Sequence, residues 1–361
     1  MTGAPDEPAA REESINDPSM KTVDSAARHY RVKREISWED TMTLTKRMFV
    51  QMAGAAALAG AFAAPAAAFE PTKPVDFVIM AGAGGGADQI ARFLQSVAEK
   101  KDLTSRPLVP NNKGGGSGAE ALIALKGTSD PDHTILVTLN SFFTTPLRQE
   151  NLGIDIQTFT PVAMMGVDPF VLWVHKDSGI TTFEDWLAKV KEGGYIMGGT
   201  GKGQEDSLVI TFLEQNYDLD IKYIPYKGGG AVAKDLAGQQ IMASVNNPAE
   251  AKGFYASGDV VPLVAFSDER LAAFPDVPTV KELGKDFSYY NQRAVVGAPG
   301  MSDEAAAYYQ ELFKTIYDTQ EWQDYMTSES LSPLWMGPDE QKAYWNTQVE
   351  RHKELLAAMG E

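Results

Sequence analysis

The chain reads as an α/β protein with two lobes around a cleft, and three observations predict this. Strand-like and helix-like segments alternate from residue 74 to about 263, the pattern of parallel strands covered by helices. Glycine clusters stand where a strand hands over to a helix. The long apolar stretch 161–174 is interrupted by Gly166 and Asp168-Pro169, so it reads as one strand ending a first lobe and another opening a second. The run Arg293-Ala294-Val295-Val296-Gly297-Ala298-Pro299 reads as the return. Two such crossovers leave a cleft between lobes, where small ligands commonly bind.

In chain order, strands are expected at 75–80, 107–110, 134–139, 161–174 (as two), 195–197, 221–225, 241–245 and 261–266. Helices are expected at 87–101, 117–126, 181–192, 204–216, 230–238 and 248–257. Ser302-Asp303-Glu304 opens a further helix, with an N-cap residue and early acids that suit the helix dipole. Two or three helices then run to the end, and Trp322, Tyr325, Trp335, Tyr344 and Trp345 give them apolar faces for packing.

The glycine clusters carry the functional signal. Gly84-Gly85-Gly86, Gly114-Gly115-Gly116 and Gly228-Gly229-Gly230 each follow a strand and precede a helix, as does Gly198-Gly199-Thr200-Gly201-Lys202-Gly203. Glycine lets backbone approach a ligand closely, and a helix start offers free N–H groups with partial positive charge. Such loops are suited to holding an anion. The formal net charge is −17. That argues against nucleic acid or an anionic membrane as partner, both of which need basic surface; a local anion site remains compatible with it. There is no cysteine, so disulfides, thiol catalysis and cysteine metal sites are excluded.

Lys46-Arg47, an Ala/Gly-rich apolar run and Pro65-Ala66-Ala67-Ala68 together form an export signal, with cleavage expected near Ala68. Residues 1–40 are polar and aperiodic and are expected to be disordered. The apolar run is short and rich in small residues, so no membrane insertion is expected after cleavage.

Enzyme motifs are incomplete. Gly82-x-Gly84-x-x-Ala87 satisfies the dinucleotide fingerprint, but Asn111-Asn112 stands where a ribose-binding acid belongs. Lys202 is followed by Gly203 in place of the Ser/Thr of a phosphate loop. His29, His133, His175 and His352 show no paired metal spacing. Ser117 lacks the last glycine of a nucleophile elbow. No catalytic residue, cofactor or metal is expected. Asp88, in the first turn after the first triplet, is expected to brace that loop.

With these motifs in order, the chain from Pro71 onward resembles the periplasmic substrate-binding receptors of tripartite tricarboxylate transporters, the Bug receptors. The matching residues are Gly84-Gly85-Gly86-Ala87-Asp88, Asn112 with Gly114-Gly115-Gly116-Ser117-Gly118-Ala119, Thr200-Gly201-Lys202-Gly203, Pro225-Tyr226-Lys227-Gly228, Phe274-Pro275-Asp276-Val277-Pro278-Thr279 and Gly297-Ala298-Pro299-Gly300. The resemblance implies a two-lobed type II periplasmic-binding fold, a Venus flytrap with a mostly parallel, helix-flanked sheet in each lobe. It implies no enzymatic activity. The expected lobes are 69–168 with 289–361, and 169–288. The implied receptor is a monomer that closes on a small organic carboxylate, a di- or tricarboxylate above all, and delivers it to membrane permease subunits.

Carried over by motif, the ligand-binding set is Gly84, Gly85, Gly86, Ala87 and Asp88 in the first lobe and Gly199, Thr200, Gly201, Lys202, Gly203 and Gln204 in the second. Asn140, Ser141, Phe142 and Asn246 are expected to line the cleft. Arg293 and Lys202 are the candidates for a distal carboxylate, which a guanidinium fork suits. The chain departs from the family in two places. Ala83 replaces the proline common before the glycines, and Glu205-Asp206-Ser207 stands where many members carry a histidine. These two acids are expected at a helix start, facing solvent. A sensor subunit for a kinase, which uses the same closed state and is not separated from a transport receptor by the sequence, and a nucleotide-dependent enzyme, which the export signal and Asn111-Asn112 disfavour, are the alternative readings.

Overall fold

The computed structural model describes residues 69–358 and Gly360; the leader, the signal segment and the cleavage point expected at 1–68 lie outside the described residues. Two five-stranded sheets organise the rest. The first contains β1 (Val75–Ile79), β2 (Leu108–Asn112), β3 (Thr134–Thr138), β4 (Thr160–Pro169) and β10 (Tyr290–Gly297), in the order β2-β1-β3-β10-β4. The second contains β5 (Val171–His175), β6 (Tyr195–Gly199), β7 (Ile221–Pro225), β8 (Ala243–Asn246) and β9 (Val260–Ala265), in the order β7-β6-β8-β5-β9.

Alternation along the strands explains why each sheet is buried on both faces. In β1, Val75, Phe77 and Ile79 face one core, together with Leu94, Phe313 and Trp322. Val78 and the following Met80 face another, with Leu122, Phe142 and Trp345. In β5, Leu172 and Val174 join Trp186, Met197 and Leu213, while Val171 and Trp173 join Val232, Leu236 and Phe274. Burying one such side chain is worth about 1.5–3 kcal/mol, so a one-residue slip of either strand would forfeit several of these contributions at once.

The helices are α1 (Gly86–Lys100), α2 (Ala119–Lys126), α3 (Ser141–Arg148), α4 (Phe183–Lys191), α5 (Glu205–Tyr217), α6 (Gly229–Ala237), α7 (Pro248–Ala256), α8 (Asp303–Tyr317), α9 (Gln320–Ser328) and α10 (Pro338–Ala358). Ser302 caps α8 by accepting the Ala305 N–H at 3.2 Å, as its sequence signature requires. None of the described helices is long and apolar enough to cross a membrane.

Each sheet is mostly parallel, as expected, with one strand reversed. In the first sheet β10 runs antiparallel to both β3 and β4; in the second β5 runs antiparallel to both β8 and β9. The cause is topological. β5 and β10 are the two strands that arrive from the other sheet, so they enter without the helical crossover that sets a parallel neighbour. Phe170 alone separates β4 from β5. Around this crossover Phe266 N–H donates to the Phe170 carbonyl (2.9 Å) and Tyr289 N–H to the Phe266 carbonyl (2.8 Å), joining the two connections laterally. α10 packs along β4 and α3, yet its Leu356 lies in the core of the second sheet.

Candidate functional site

The four glycine loops converge between the sheets. Gly114 lies against the first loop: a Cβ there would stand 2.7 Å from the Gly82 nitrogen. Gly82 in turn faces the third loop, where its Cβ would meet the Lys227 carbonyl at 2.8 Å, and a Cβ on Gly230 would meet the Gly84 carbonyl at 2.7 Å. These approaches are closer than real Cβ contacts, so glycine here permits backbone to meet backbone across the cleft. The second and fourth loops also meet, through Ser117 Oγ donating to the Lys202 carbonyl at 3.4 Å.

Each loop is braced by a side chain of its own lobe. Asp88 accepts from Gly84 N–H (2.9 Å), Arg92 Nε (2.9 Å) and Asn112 Nδ2 (3.0 Å). Burial pushes its carboxyl up, but these hydrogen bonds outweigh burial and hold it below the usual carboxylate range. Asn112, where a dinucleotide enzyme would place its ribose acid, also donates to the Ala81 carbonyl at 3.0 Å. In the fourth loop Asp206 accepts from both the N–H and the hydroxyl of Thr200, and Gln204 Oε1 accepts from Gly201 N–H at 2.6 Å.

Two carboxylates reach from one lobe to the other. Glu250, in the first turn of α7, accepts from Gly86 N–H with Oε1 (3.0 Å) and from Asn246 Nδ2 with Oε2 (2.9 Å). It thus occupies an amide at the start of α1, the place expected for a ligand carboxylate. Glu205, at the start of α5, accepts the Ser141 N–H. Glu205 and Asp206 are both buried, which corrects the expectation that they face solvent. The helix start that carries them points at the opposite lobe rather than outward. Burial raises the Glu205 carboxyl against the pull of Ser141 and Arg293. Burial pushes Asp206 up to about 7; the Thr200 hydrogen bonds oppose this, and Glu205 and Glu250 add to it.

Arg293, on β10, is 1 % exposed and lies against Gly86, where any side chain would collide with the guanidinium. It forms a buried ion pair with Asp168 at the end of β4 and donates from Nη2 to Asn247 Oδ1 at 2.9 Å. Its Nη1 has no hydrogen-bond partner among the described residues. The wall around these groups encloses a cavity of about 30 Å³, lined by Gly85, Gly86, Ala87, Thr200, Gln204, Glu205, Asp206, Lys227, Glu250 and Arg293, among others.

Of the residues expected at the site, the wall includes Gly85, Gly86, Ala87, Thr200, Gln204 and Arg293. Gly84, Asp88, Gly199, Gly201 and Gly203 shape or brace the loops behind it. Asn140 is tied to β10, with Nδ2 on the Tyr290 carbonyl (2.7 Å) and Oδ1 accepting Gln292 N–H (3.0 Å). Phe142 packs against Phe159 and Trp345 in the core. Ser141 and Asn246 stand one layer back, holding Glu205 and Glu250 respectively. Lys202 is exposed and borders a separate surface depression. The sequence reading missed Glu250, whose one signal is its place three residues after Asn247 at a helix start. It also left Lys227 out of the site, although the residue stood within a recognised motif.

A two-lobed α/β body with a cavity between its lobes is an architecture found among solute-binding proteins. The sequence model of the tripartite tricarboxylate transporter family receptor, TctC, matches residues 90–360, and the chain belongs to that family. The family consists of binding proteins rather than enzymes, which closes the nucleotide-enzyme reading. A protein of Cupriavidus necator described as "UPF0065 protein in gbd 5'region" is 24% identical over 88% of this chain and 98% of its own length. The structure of the periplasmic binding protein BugD superposes with a TM-score of 0.76 at 24% identity, over 80% of this chain and 98% of that one. The R. palustris protein Rpa4515, solved with adipate, gives a TM-score of 0.75 at 20% identity over 80% and 98%.

Proposed function

We propose that this protein is an exported receptor that closes its lobes on a small organic carboxylate and delivers it to the membrane permease subunits of a tripartite transporter. The observation that carries the reading is the inter-lobe cavity: glycine loops from both lobes form its wall, and a buried arginine whose Nη1 has no hydrogen-bond partner among the described residues stands in it. A guanidinium so placed is suited to a carboxylate. The family, and the adipate with which a structural relative was solved, support the ligand class. On this reading the protein works in the periplasm as a monomer, with cleavage near Ala68. The lobes are 69–168 with 289–361, and 169–288, and the wall residues with Arg293 form the ligand site.

The test is a thermal-shift screen of the purified protein against a panel of carboxylates, with NAD and NADP as controls. A ligand at about 100 times its dissociation constant stabilises by about 2.7 kcal/mol. A shift with one group of acids supports the receptor reading. A shift with the nucleotides and none with any acid sinks it.

A further inference from the structure

α1 and α3 both begin at the junction of the lobes, and neither is capped by a side chain at its own N-cap. Those residues, Gly85 and Asn140, accept no bond from their helix with a side chain, whereas Ser302 and Thr319 cap α8 and α9 in the ordinary way. In both helices the first N–H, of Gly86 and of Ser141, is instead taken by a glutamate of the other lobe, Glu250 and Glu205 respectively. The N–H groups of a helix start attract an anion. Here the anion belongs to the chain.

Glu250 divides its oxygens between two duties. Oε2 accepts from Asn246 Nδ2 (2.9 Å) and Asn247 N–H (3.3 Å), which serves the start of its own helix α7, while Oε1 crosses to Gly86 N–H (3.0 Å). Beside that same amide stands a further donor: a Cβ on Gly86 would lie 3.5 Å from Arg293 Nη1, which is buried and has no hydrogen-bond partner among the described residues. An amide and a guanidinium N–H placed together suit a carboxylate, and Glu250 takes the amide. The cavity of about 30 Å³ beside them has room for about two waters, too little for a carboxylate with a carbon skeleton. A guest and both glutamates therefore do not fit this wall together.

Within the carboxylate-receptor reading, on which this rests, we propose that Glu250 and Glu205 are tethered competitors of the ligand: they fill the anion positions at the starts of α1 and α3, and a guest's carboxylate enters those positions by displacing them. The affinity for an acid is then a difference between two carboxylates contending for one set of donors. A charge-assisted hydrogen bond lost without replacement weakens a complex about tenfold or more, so each glutamate lowers the affinity of its rival by a factor of that order.

The experiment is isothermal titration of the dialysed full-chain protein with sodium acetate, with sodium chloride as the ionic-strength control. Glu250→Ala and Glu205→Ala, each checked for folding by circular dichroism, are expected to bind acetate about tenfold tighter than wild type or better. Glu250→Gln, which keeps an acceptor for α7 and drops the charge, is expected to fall between them and wild type. Glu329→Gln removes one negative charge outside the wall, where Glu329 pairs with Lys252, and is expected to leave acetate binding unchanged. A gain in Glu329→Gln equal to that of the wall variants assigns the effect to general charge and overturns the inference. Equal or weaker acetate binding in the folded wall variants, the result of a merely structural role, overturns it too. Two positions and the milder Glu250→Gln keep the test decisive where one variant misfolds. The receptor reading is judged apart from this, by the acid panel on wild type, and stands or falls there whatever the variants do with acetate.

Discussion

Replacing Gly230 by alanine should separate stability from binding, because the two depend on different neighbours. Gly230 is the second residue of α6. Within its own helix alanine is favoured over glycine by up to about 1 kcal/mol. Across the cleft the new Cβ would lie 2.7 Å from the Gly84 carbonyl oxygen and 3.0 Å from its carbon, whereas ordinary contact begins at 3.4 Å. Both atoms are backbone and belong to a loop held by Asp88, so the loop has no flexible end to move aside. Overpacking of this kind costs about 1–3 kcal/mol. The open form escapes that cost, so the closed form alone is penalised. If ligand is held only in the closed form, its apparent affinity falls by the same factor, roughly 5- to 150-fold.

Gly253→Ala is the matched control. Gly253 lies in α7 with nothing within 4 Å of the added Cβ, so it should give the helical gain with no loss of affinity. Urea unfolding without ligand and calorimetric titration with the acid found in the screen measure the two quantities. Gly230→Ala should be as stable as wild type or slightly more so, and should bind at least fivefold more weakly. An affinity within twofold of wild type would refute the claim that these backbones meet in the ligand-bound form.

Arg293→Ala leaves Asp168 buried without its partner and should cost about 3–5 kcal/mol in urea unfolding. Adding Asp168→Asn should restore part of it, and a single-variant loss under about 1 kcal/mol would count against the buried pair. Asp206 is raised to about 7 in the folded protein, so the fold retains a proton that the unfolded chain releases near 3.8. Stability from this group is therefore lost as pH rises from about 4 to about 7, and Asp206→Asn should abolish that loss in pH-dependent unfolding. His352 has the opposite sign: burial lowers its imidazole to about 4, so its contribution is lost as pH falls from about 6.5 to about 4. The two slopes oppose each other, and the stability of the Asp206→Asn variant should fall more steeply than that of wild type on acidification; identical profiles would contradict the Asp206 assignment.

Much of the architecture was legible because local pattern and global fold agree in it. The run of Val75, Phe77 and Ile79 alternates with Val78 and Met80, and the alternation alone fixes which core each side chain enters. The crossover at Asp168-Pro169 was legible because the apolar run is too long for one strand. α3 was missed: Ser141-Phe142-Phe143-Thr144-Thr145-Pro146 holds weak helix formers and an internal proline, and tertiary packing of Phe142 and Phe143 stabilises it instead. The reversed strands β5 and β10 were not legible, since apolar alternation carries no strand direction. Among site residues, Asp88 could be read from its spacing to the triplet. Glu250 could not, because its partner Gly86 is 164 positions away and belongs to the other lobe.

The glycine loops show why the first functional reading was incomplete. A glycine triplet before a helix signals a close approach, and the sequence does not say what approaches. Here Gly82 and Gly230 meet backbone from the opposite lobe, so on the proposed reading they would serve closure itself, while the amide of Gly86 receives a carboxylate that the chain supplies. Closure and recognition therefore draw on different residues of the same loops. Backbone apposition sets how near the lobes come. On the proposed receptor reading, Glu205, Glu250 and Arg293 would set what charge the closed space tolerates. A substitution at Gly230 should thus weaken every ligand alike, whereas one at Glu250 should change the ranking among ligands, and comparing the two variants over one set of acids separates the two roles.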